Sequence, residues 1–408
     1  MNAKLTYRVA GLGAAAALAL TGCANDSSKT SNSSESGGAS GVNLPAVQTV
    51  DTPKSPVMPK GDGKAKCSNV TIGYVGAVTG DNAQLGVNIY NGIQTAINEH
   101  NQANKDCQVK FEKLDTEGSP DKAPGPVTTM ANKSQVVGVV GLPFSGESNA
   151  TGNIFESKGL VHITPAATLP ELTTKGWKTF FRGLGNDSVQ GPAAAKLMTE
   201  KLKAEKVFVV QDDSPYGVGL GGETTKALGD KQVGSDKVTT KQKDFSATVT
   251  KIMNAKPDAV FYAGYYAEAS PFAQQLRAKG FKGSFVGPDG VKDNEFIKQA
   301  GLASDGAYFT CPCIPGELIK DFNDAYKKTA NNAAPGTYSI EGYDAATVLL
   351  AGIDAGKTDR KSLLEWVKTY DKDGLSKHYK WDDKGELAKP DVYGYKVEGG
   401  KILPIGKI

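Results

Sequence analysis

Residues 136–168 read VVGVVGLPFSGESNATGNIFESKGLVHITPAAT. Two short apolar runs stand in this stretch, Val136–Gly141 and Leu160–Ile163, and each is followed by Pro and by small or hydroxyl-bearing residues. Apolar runs of this length are typical of strands that are buried on both faces of a parallel sheet. The stretch therefore predicts two strands of an α/β sheet.

Similar runs occur on both sides of this stretch. They are Val70–Val78, Val109–Leu114, Lys206–Val210, Ala259–Gly264, Ser284–Gly287 and Ala307–Thr310. Between the first two, Gly86–Asn101 places apolar residues such as Ile89 and Ile93 at helical spacing. Alternating strands and helices predict parallel sheets covered by helices, and two such series between Cys67 and Ile408 predict two α/β lobes.

The residues that follow the predicted strands are candidates for ligand binding. In open α/β sheets, ligands bind outside the carboxyl ends of the strands. These positions hold Ala77–Gly80, Gly141–Gly146, Thr164–Thr168, Asp212–Gly217, Gly264–Tyr266 and Gly287–Gly290. Hydroxyls and backbone amides at helix N-termini suit a carboxylate, and a buried carboxylate opposite them suits an ammonium. The sequence therefore predicts that these strand ends bind a small ligand with a carboxylate and an ammonium.

The N-terminal residues predict export and anchoring. Lys4 and Arg8 precede the apolar run Val9–Leu20, which is too short to span a bilayer and fits a signal peptide over residues 1–22. Leu20-Thr-Gly-Cys23 resembles a bacterial lipobox, which implies that Cys23 is acylated on the outer face of the cytoplasmic membrane. An ordinary signal peptide with a chance Cys is the alternative. Residues 23–66 are polar, and they predict a flexible tether with a reach of about 35–40 Å.

Composition and cysteine content narrow the function classes. The net charge is +3, with 47 basic residues and no basic run, so nucleic-acid binding is not expected. Cys67 and Cys107 each precede a strand, and parallel neighbours would bring them to one sheet edge as a disulfide. Cys311 and Cys313 flank one Pro, and they would form either a small ring or part of a metal site. Since the three His residues show no ligand spacing, no metal is expected.

The body closely resembles the leucine/isoleucine/valine-binding proteins of ABC importers, which have the type I periplasmic-binding-protein fold. The segments that carry the resemblance are Thr164–Thr173, Asp187–Gly191, Tyr216–Leu220, Asp244–Ala247 and Gly264–Glu268. The resemblance implies two lobes joined by three crossovers, with the ligand in the cleft between them. On this basis, lobe 1 is expected to comprise 67–186 and 313–376. Lobe 2 is expected at 187–312, and residues 377–408 form a hinge return and the C-terminal strands of lobe 2.

The resemblance also implies the binding residues. Ser145, Ala166 and Thr168 would hold the head group of an amino acid, and Tyr216 and Tyr265 would contact it from lobe 2. In the family, a Glu binds the ammonium and a Tyr lines the pocket. This chain has Asp289 and Leu85 at those positions, so the ammonium partner is one methylene shorter and the pocket lacks one hydroxyl.

The expected function is capture of a small amino acid, with branched-chain or aliphatic side chains favoured, and delivery to the permease subunits of an ABC importer. A monomer without a cofactor is expected. The alternative is another small polar ligand, such as an amide or a different amino acid.

Two motifs resemble those of enzymes, but each lacks part of the pattern that the enzymes show. Gly217–Gly222 matches G-x-G-x-x-G but does not start at a strand end, and Gly146–Ala150 lacks the last Gly of G-x-S-x-G. We therefore do not expect an enzyme.

Overall fold

A computed structural model describes Val42 and residues 44–408. The predicted signal peptide, the proposed acylation site Cys23 and the first part of the predicted tether lie outside the described residues.

Strands and helices alternate along most of the body. The strands are β1 Thr71–Gly76, β2 Lys110–Asp115, β3 Val136–Gly141, β4 Val161–Thr164, β5 Phe180–Arg182, β6 Val207–Gln211, β7 Gln232–Lys237, β8 Ala259–Ala263, β9 Ser284–Gly287, β10 Tyr308–Cys311, β11 Asp371–Asp373, β12 His378–Lys380, β13 Tyr393–Glu398 and β14 Lys401–Lys407. The helices are α1 Ala83–Ala103, α2 Pro124–Ala131, α3 Ser145–Lys158, α4 Asp187–Lys196, α5 Pro215–Leu228, α6 Ser246–Ala255, α7 Tyr266–Ala278, α8 Asn294–Ala300, α9 Lys320–Thr329, α10 Ser339–Asp354 and α11 Arg360–Lys368.

Two large sheets organise most of these elements, and β11 and β12 form a separate antiparallel two-stranded sheet. The five-stranded sheet has the order β2-β1-β3-β4-β5, and all its strands are parallel. The seven-stranded sheet has the order β14-β13-β10-β9-β8-β6-β7, and it is parallel except where β13 pairs with β10 and β14. We call the residues around these sheets lobe 1 and lobe 2. This architecture confirms the predicted α/β fold.

The pattern of burial explains why the strands form where they do. Every residue of β1, β3 and β8 is buried, as expected for central strands with helices on both faces. Helix α1 buries Ile89 and Ile93 on its inner face and packs against α10. Gly92 permits this close approach, because a Cβ there would lie 1.9 Å from the backbone oxygen of Ser339.

The chain passes between the sheets three times. It leaves lobe 1 between β5 and β6 and returns between β10 and α9, since α10 and α11 pack against β3 of lobe 1. It crosses again between β12 and β13. The domain boundaries expected at residues 187, 313 and 377 stay predictions, and residue 377 precedes β12 and so lies ahead of the third connection.

The last part of the predicted tether differs from the expectation. Residues 44–66 pack against the body: the Val47 amide donates to the carbonyl of Pro404 at 2.8 Å, the Val57 amide donates to that of Asp373 at 2.8 Å, and Ala65 is buried. The polar composition of this segment predicts that it does not pack. Its scattered apolar residues nevertheless find apolar surface on the folded body, which cannot be read from the segment itself.

Both cysteine pairs form disulfides in the structure. The parallel register of β1 and β2 pairs Thr71 with Lys110, so Cys67 and Cys107 approach the same edge of the sheet, and their Cα atoms are 4.4 Å apart.

Among the described residues, no helix combines the length and apolar character needed to cross a membrane.

Candidate functional site

An open cavity of about 600 Å³ lies between the two lobes. Loops after β1, β2 and β3 line it from lobe 1, and loops after β6, β7 and β8 line it from lobe 2. The helices α3 and α5 meet here with their N-termini facing, since a Cβ on Gly146 would lie 3.6 Å from Pro215. Helix N-termini carry partial positive charge and free amides, so this end of the cleft suits an anionic group.

Asp289 is a fully buried carboxylate that accepts several side-chain hydrogen bonds. One of its oxygens accepts hydrogen bonds from the Tyr216 hydroxyl and from Gln190 Nε2, the latter at 2.8 Å. The other accepts from the Tyr338 hydroxyl at 2.6 Å. Burial raises the pKa of Asp289, and these three hydrogen bonds oppose the rise. A carboxylate held in this way is preorganised for a cation.

The lobe 1 wall consists of small and hydroxyl-bearing residues. Ser145 is the first residue of α3, and its oxygen accepts from the Leu169 amide at 3.2 Å, which leaves its hydroxyl hydrogen free to donate. Ala166 and Thr168 are buried beside it in the loop after β4. Burial raises the pKa of Asp187 well above its usual range, and the neighbouring Thr168 hydroxyl opposes this rise.

The buried side chain of Glu147 stabilises the backbone of this wall. Glu147 accepts from the Phe144 amide at 3.3 Å and from the Thr116 hydroxyl, so it fixes the first turn of α3. Burial raises the pKa of Glu147 to about 7. Its role is to position Ser145 and its neighbours.

Aromatic side chains cross the cleft beside the cavity. The ring of Phe144 from lobe 1 packs edge-on against Tyr265 from lobe 2, with centroids 4.9 Å apart. Tyr265 in turn lies 5.0 Å from the ring of Tyr216. Phe144 and Tyr265 line the open cavity, whereas Tyr216 is buried and bonded to Asp289. The aromatic residues therefore connect the cavity to the buried polar cluster.

The structure brings together six of the seven residues singled out from the sequence. They are linked by direct contacts or through immediate neighbours, and they are Ser145, Ala166, Thr168, Tyr216, Tyr265 and Asp289. Leu85 is the exception: it is fully buried on the inner face of α1, in the apolar core. Of the other six, Tyr265 alone lines the open cavity, and the remaining five are buried beside it.

Three further buried residues lie among these site residues, and they were not predicted from the sequence. Asp187 and Gln190 lie on the first turn of α4, within the motif Asp187–Gly191, and that motif was the available signal. Tyr338 precedes α10 with a left-handed backbone, φ +66°, and nothing local in the sequence marks it. An L-residue in this conformation costs about 1–3 kcal/mol, which its hydrogen bond to Asp289 helps to offset.

The enzyme-like motifs have structural explanations. Gly217–Gly222 lies inside α5, where the Gly217 amide donates to the hydroxyl of the capping Ser214 at 2.9 Å. A Cβ on Gly217 would lie 2.0 Å from Asp212. Gly217 therefore permits close packing. Ser148 is buried in α3, and its hydroxyl donates to the carbonyl of Leu142 at 3.1 Å.

Comparison with known proteins identifies the family. Residues 69–401 match the family described as Periplasmic binding protein. The Leu/Ile/Val-binding protein of Escherichia coli K12 is 31% identical over 332 residues, which cover 79% of this chain and 89% of that protein. A leucine-, isoleucine-, valine-, threonine- and alanine-binding protein of Pseudomonas aeruginosa is 32% identical, covering 80% and 89%.

A solved structure agrees with the sequence comparisons. The branched-chain amino acid transporter substrate-binding protein LivJ of Streptococcus pneumoniae, in complex with isoleucine, superposes with a TM-score of 0.77 at 27% identity, covering 82% of this chain and 98% of that one. The chain belongs to the periplasmic binding protein family and has the type I fold. It is a solute-binding protein of the extracytoplasmic kind.

Proposed function

We propose that this protein binds a small aliphatic amino acid, with leucine, isoleucine and valine the favoured ligands, and delivers it to the permease subunits of an ABC importer. It does so as a monomer, anchored through acylated Cys23 on the outer face of the cytoplasmic membrane. The names of the relatives from E. coli and P. aeruginosa and the isoleucine bound to LivJ support the ligand class.

The observation that carries the proposal is the division of charge in the cleft. Asp289 provides a buried anion on the lobe 2 side. The N-termini of α3 and α5, with the hydroxyl of Ser145, provide donors. A zwitterionic amino acid complements both, because its ammonium pairs with the carboxylate and its own carboxylate meets the helix N-termini. Ser145, Ala166, Thr168, Tyr216 and Tyr265 surround the proposed position of this head group.

A thermal-shift screen tests the ligand class. Purified protein is heated with leucine, isoleucine, valine, alanine, leucinamide or benzoate. A ligand that binds only the native state at 100 times its Kd adds about 2.7 kcal/mol of stability. We expect the branched-chain amino acids to raise Tm by several degrees, and benzoate to leave it unchanged. A Tm raised by the amide alone would favour the other small polar ligand class, and turnover of any panel compound would contradict a pure binding role.

Membrane fractionation tests the anchor. Acyl chains supply stable membrane attachment when two or more are present. We therefore expect wild-type protein in the membrane fraction after a high-salt wash, and Cys23→Ala in the soluble fraction or the medium. Membrane retention of Cys23→Ala would contradict the proposed anchor, while leaving the ligand proposal intact.

A further inference from the structure

A group of potential metal ligands lies at the amino ends of β1 and β2, at the edge of lobe 1 opposite the cleft. His100 near the end of α1, Cys107 ahead of β2 and Asp354 at the end of α10 meet there. Their ligand atoms all lie within 4.8 Å of one another. Cys67 is bonded to Cys107, so it brings a second sulfur to the same place. Because these four residues are far apart in the sequence, their spacing along the chain does not reveal the group.

The donor types of this group are those that bind Zn²⁺. Structural zinc sites are tetrahedral and use Cys thiolates, His nitrogens and carboxylate oxygens, at distances that place neighbouring ligand atoms about 3.3–3.8 Å apart. Side-chain shifts of about 1 Å would bring the present arrangement to that geometry. The thiolate is the form of Cys that binds a metal, and the disulfide engages both sulfurs. The four ligands are therefore complete only after Cys67 and Cys107 are reduced.

The orientation of the His100 ring suits a metal at Nε2. Asn101 Oδ1 accepts from the Val109 amide at 3.0 Å, and Asn101 Nδ2 donates to the Val109 carbonyl at 2.9 Å, so the Asn101 amide has a fixed orientation. Its oxygen lies 3.1 Å from His100 Nδ1, which therefore carries a hydrogen and donates it. A His that binds a metal commonly donates its other ring nitrogen in this way. Nε2 lies 2.7 Å from Asp354 Oδ1, and a metal ion can replace the proton between them.

The group can be reached from solvent on one side. An open depression of about 600 Å³ has Cys67 and Gly356 in its lining, and Gly356 follows Asp354 closely in the chain. Cys67 is half-buried and the side chain of Asp354 is 20% exposed, whereas His100 and Cys107 are fully buried. A reductant and a metal ion can therefore approach through this depression.

We infer that reduction of the Cys67–Cys107 disulfide creates a zinc site, in which Cys67, Cys107, His100 and Asp354 bind one Zn²⁺. A dithiol supplies the two electrons and two protons that cleave the S–S bond, and it closes to its own disulfide. Zn²⁺ then displaces the two thiol protons and the proton between His100 and Asp354. An oxidant that carries a disulfide re-forms the S–S bond and is reduced to its dithiol. The protein thereby loses two ligands and releases the metal.

The metal and the disulfide crosslink the same part of lobe 1. Each joins Cys67, ahead of β1, to Cys107, ahead of β2. The metal additionally joins them to His100 and Asp354 on two helices. Zinc would therefore hold this edge of lobe 1 together while the disulfide is reduced, independently of the function proposed for the cleft.

Zinc titrations of the full chain in its oxidised and reduced states test the inference. Cys311→Ser and Cys313→Ser are present throughout, so that reduction frees only Cys67 and Cys107 among the disulfide-bonded residues of the structure. The protein is reduced with dithiothreitol, separated from it without oxygen, and titrated with ZnCl₂ against a chromophoric chelator. We expect the reduced chain to bind one Zn²⁺ at least about 100-fold more tightly than the oxidised chain. Equal binding by the two states would overturn the inference.

Variants of the reduced chain test the ligand set. His100→Ala and Asp354→Asn each remove one ligand, and we expect each to weaken zinc binding about tenfold or more. Asn101→Ala keeps all four ligands and removes the partner of Nδ1, so it should weaken binding about tenfold even if a ligand variant does not fold. His378→Ala is the matched control, because His378 also contacts carboxylates but lies outside the group. Unchanged affinity in any of the first three variants, or an equal loss in His378→Ala, would contradict the proposed ligands.

Cobalt spectroscopy tests the site without changing a ligand. Co²⁺ replaces Zn²⁺ in tetrahedral sites and reports its ligands through its absorption. The reduced chain with CoCl₂ should show a thiolate-to-cobalt charge-transfer band and the intense visible bands of tetrahedral cobalt, and both should disappear on re-oxidation. The weak spectrum of octahedral cobalt would overturn the inference, because it would place the metal on other groups.

Discussion

The two lobes contact each other in two unlike ways, across the cleft and through the N-terminal segment 44–66. Across the cleft, several contacts are single hydrogen bonds that involve side chains, and they accompany the aromatic contact of Phe144 with Tyr265. Asn88 Nδ2 of lobe 1 donates to Asp293 of lobe 2 at 3.0 Å, and the Ala267 amide of lobe 2 donates to Asn82 of lobe 1 at 3.2 Å. Such groups can exchange their partner for water at little net cost.

The N-terminal segment joins the lobes through backbone and apolar contacts. Leu44 packs against the core of lobe 2, and the Val47 amide bonds to Pro404 on β14. Further along, the carbonyl of Lys60 accepts from Asn104 Nδ2 at 3.2 Å, and Ala65 is buried against lobe 1. The segment thus runs from one lobe to the other, and the Cys67–Cys107 disulfide follows directly at its lobe 1 end.

The comparison shows how one molecule combines a reversible contact with a persistent one. Ligand-dependent closure needs interlobe contacts that form and break with little change in free energy. Polar side chains supply such contacts, because they can bond to water when the cleft is open. Apolar contacts gain from burial in any state of the cleft, so the N-terminal segment contributes to the stability of the body more than to ligand binding.

Removing the N-terminal segment should have the larger effect on folding. We compare chains that begin at Val42 and at Lys66 by denaturant unfolding. Loss of the contacts of Leu44, Val47 and Val57 should lower the free energy of unfolding by roughly 2 kcal/mol, since a fully buried aliphatic side chain contributes about 1.5–3 kcal/mol and these are half-buried. Leucine affinity should change less than threefold. If the shorter chain binds leucine more weakly at unchanged stability, the segment contributes to closure of the cleft and not to the stability of the body.

Breaking a cleft contact should have the smaller effect, and on binding. Asn88→Ala removes the hydrogen bond to Asp293, worth about 1 kcal/mol, so leucine affinity should fall about fivefold in calorimetric titration. Gln94→Ala is the matched control on the same helix, because among the described residues the Gln94 side chain bonds only to Asn98, within lobe 1. If both variants bind leucine alike, the Asn88–Asp293 contact does not contribute to closure.

Much of the fold could be predicted from the sequence because its signals are local. The run Val136–Gly141 becomes β3 with the predicted bounds, and the run Ser284–Gly287 becomes β9. Strands such as β7, whose residues 232–237 alternate between half-buried and exposed, were not predicted because they lie at the edge of the sheet and lack a continuous apolar run.

The residues of the candidate site that directly follow strands could be predicted from the sequence. Ser145, Thr168, Tyr216 and Asp289 follow different strands, and a parallel sheet brings such positions to one edge. Tyr338 could not be found in this way, since it reaches Asp289 from a loop before α10 in the other lobe. The placement of Leu85 in the core likewise depends on which helix covers it.

By itself, the sequence determined the alternating α/β class, the pairing of Cys67 with Cys107 and the strand ends that form the cleft, because periodicity and chain order carry that information. Only the tertiary structure decided that residues 44–66 pack on the body, that Asn88 contacts Asp293, and that Asp187 is fully buried. Each of these depends on surfaces built by distant parts of the chain. The burial of a polar or apolar group, and the residues that bury it, are determined only when those surfaces pack together.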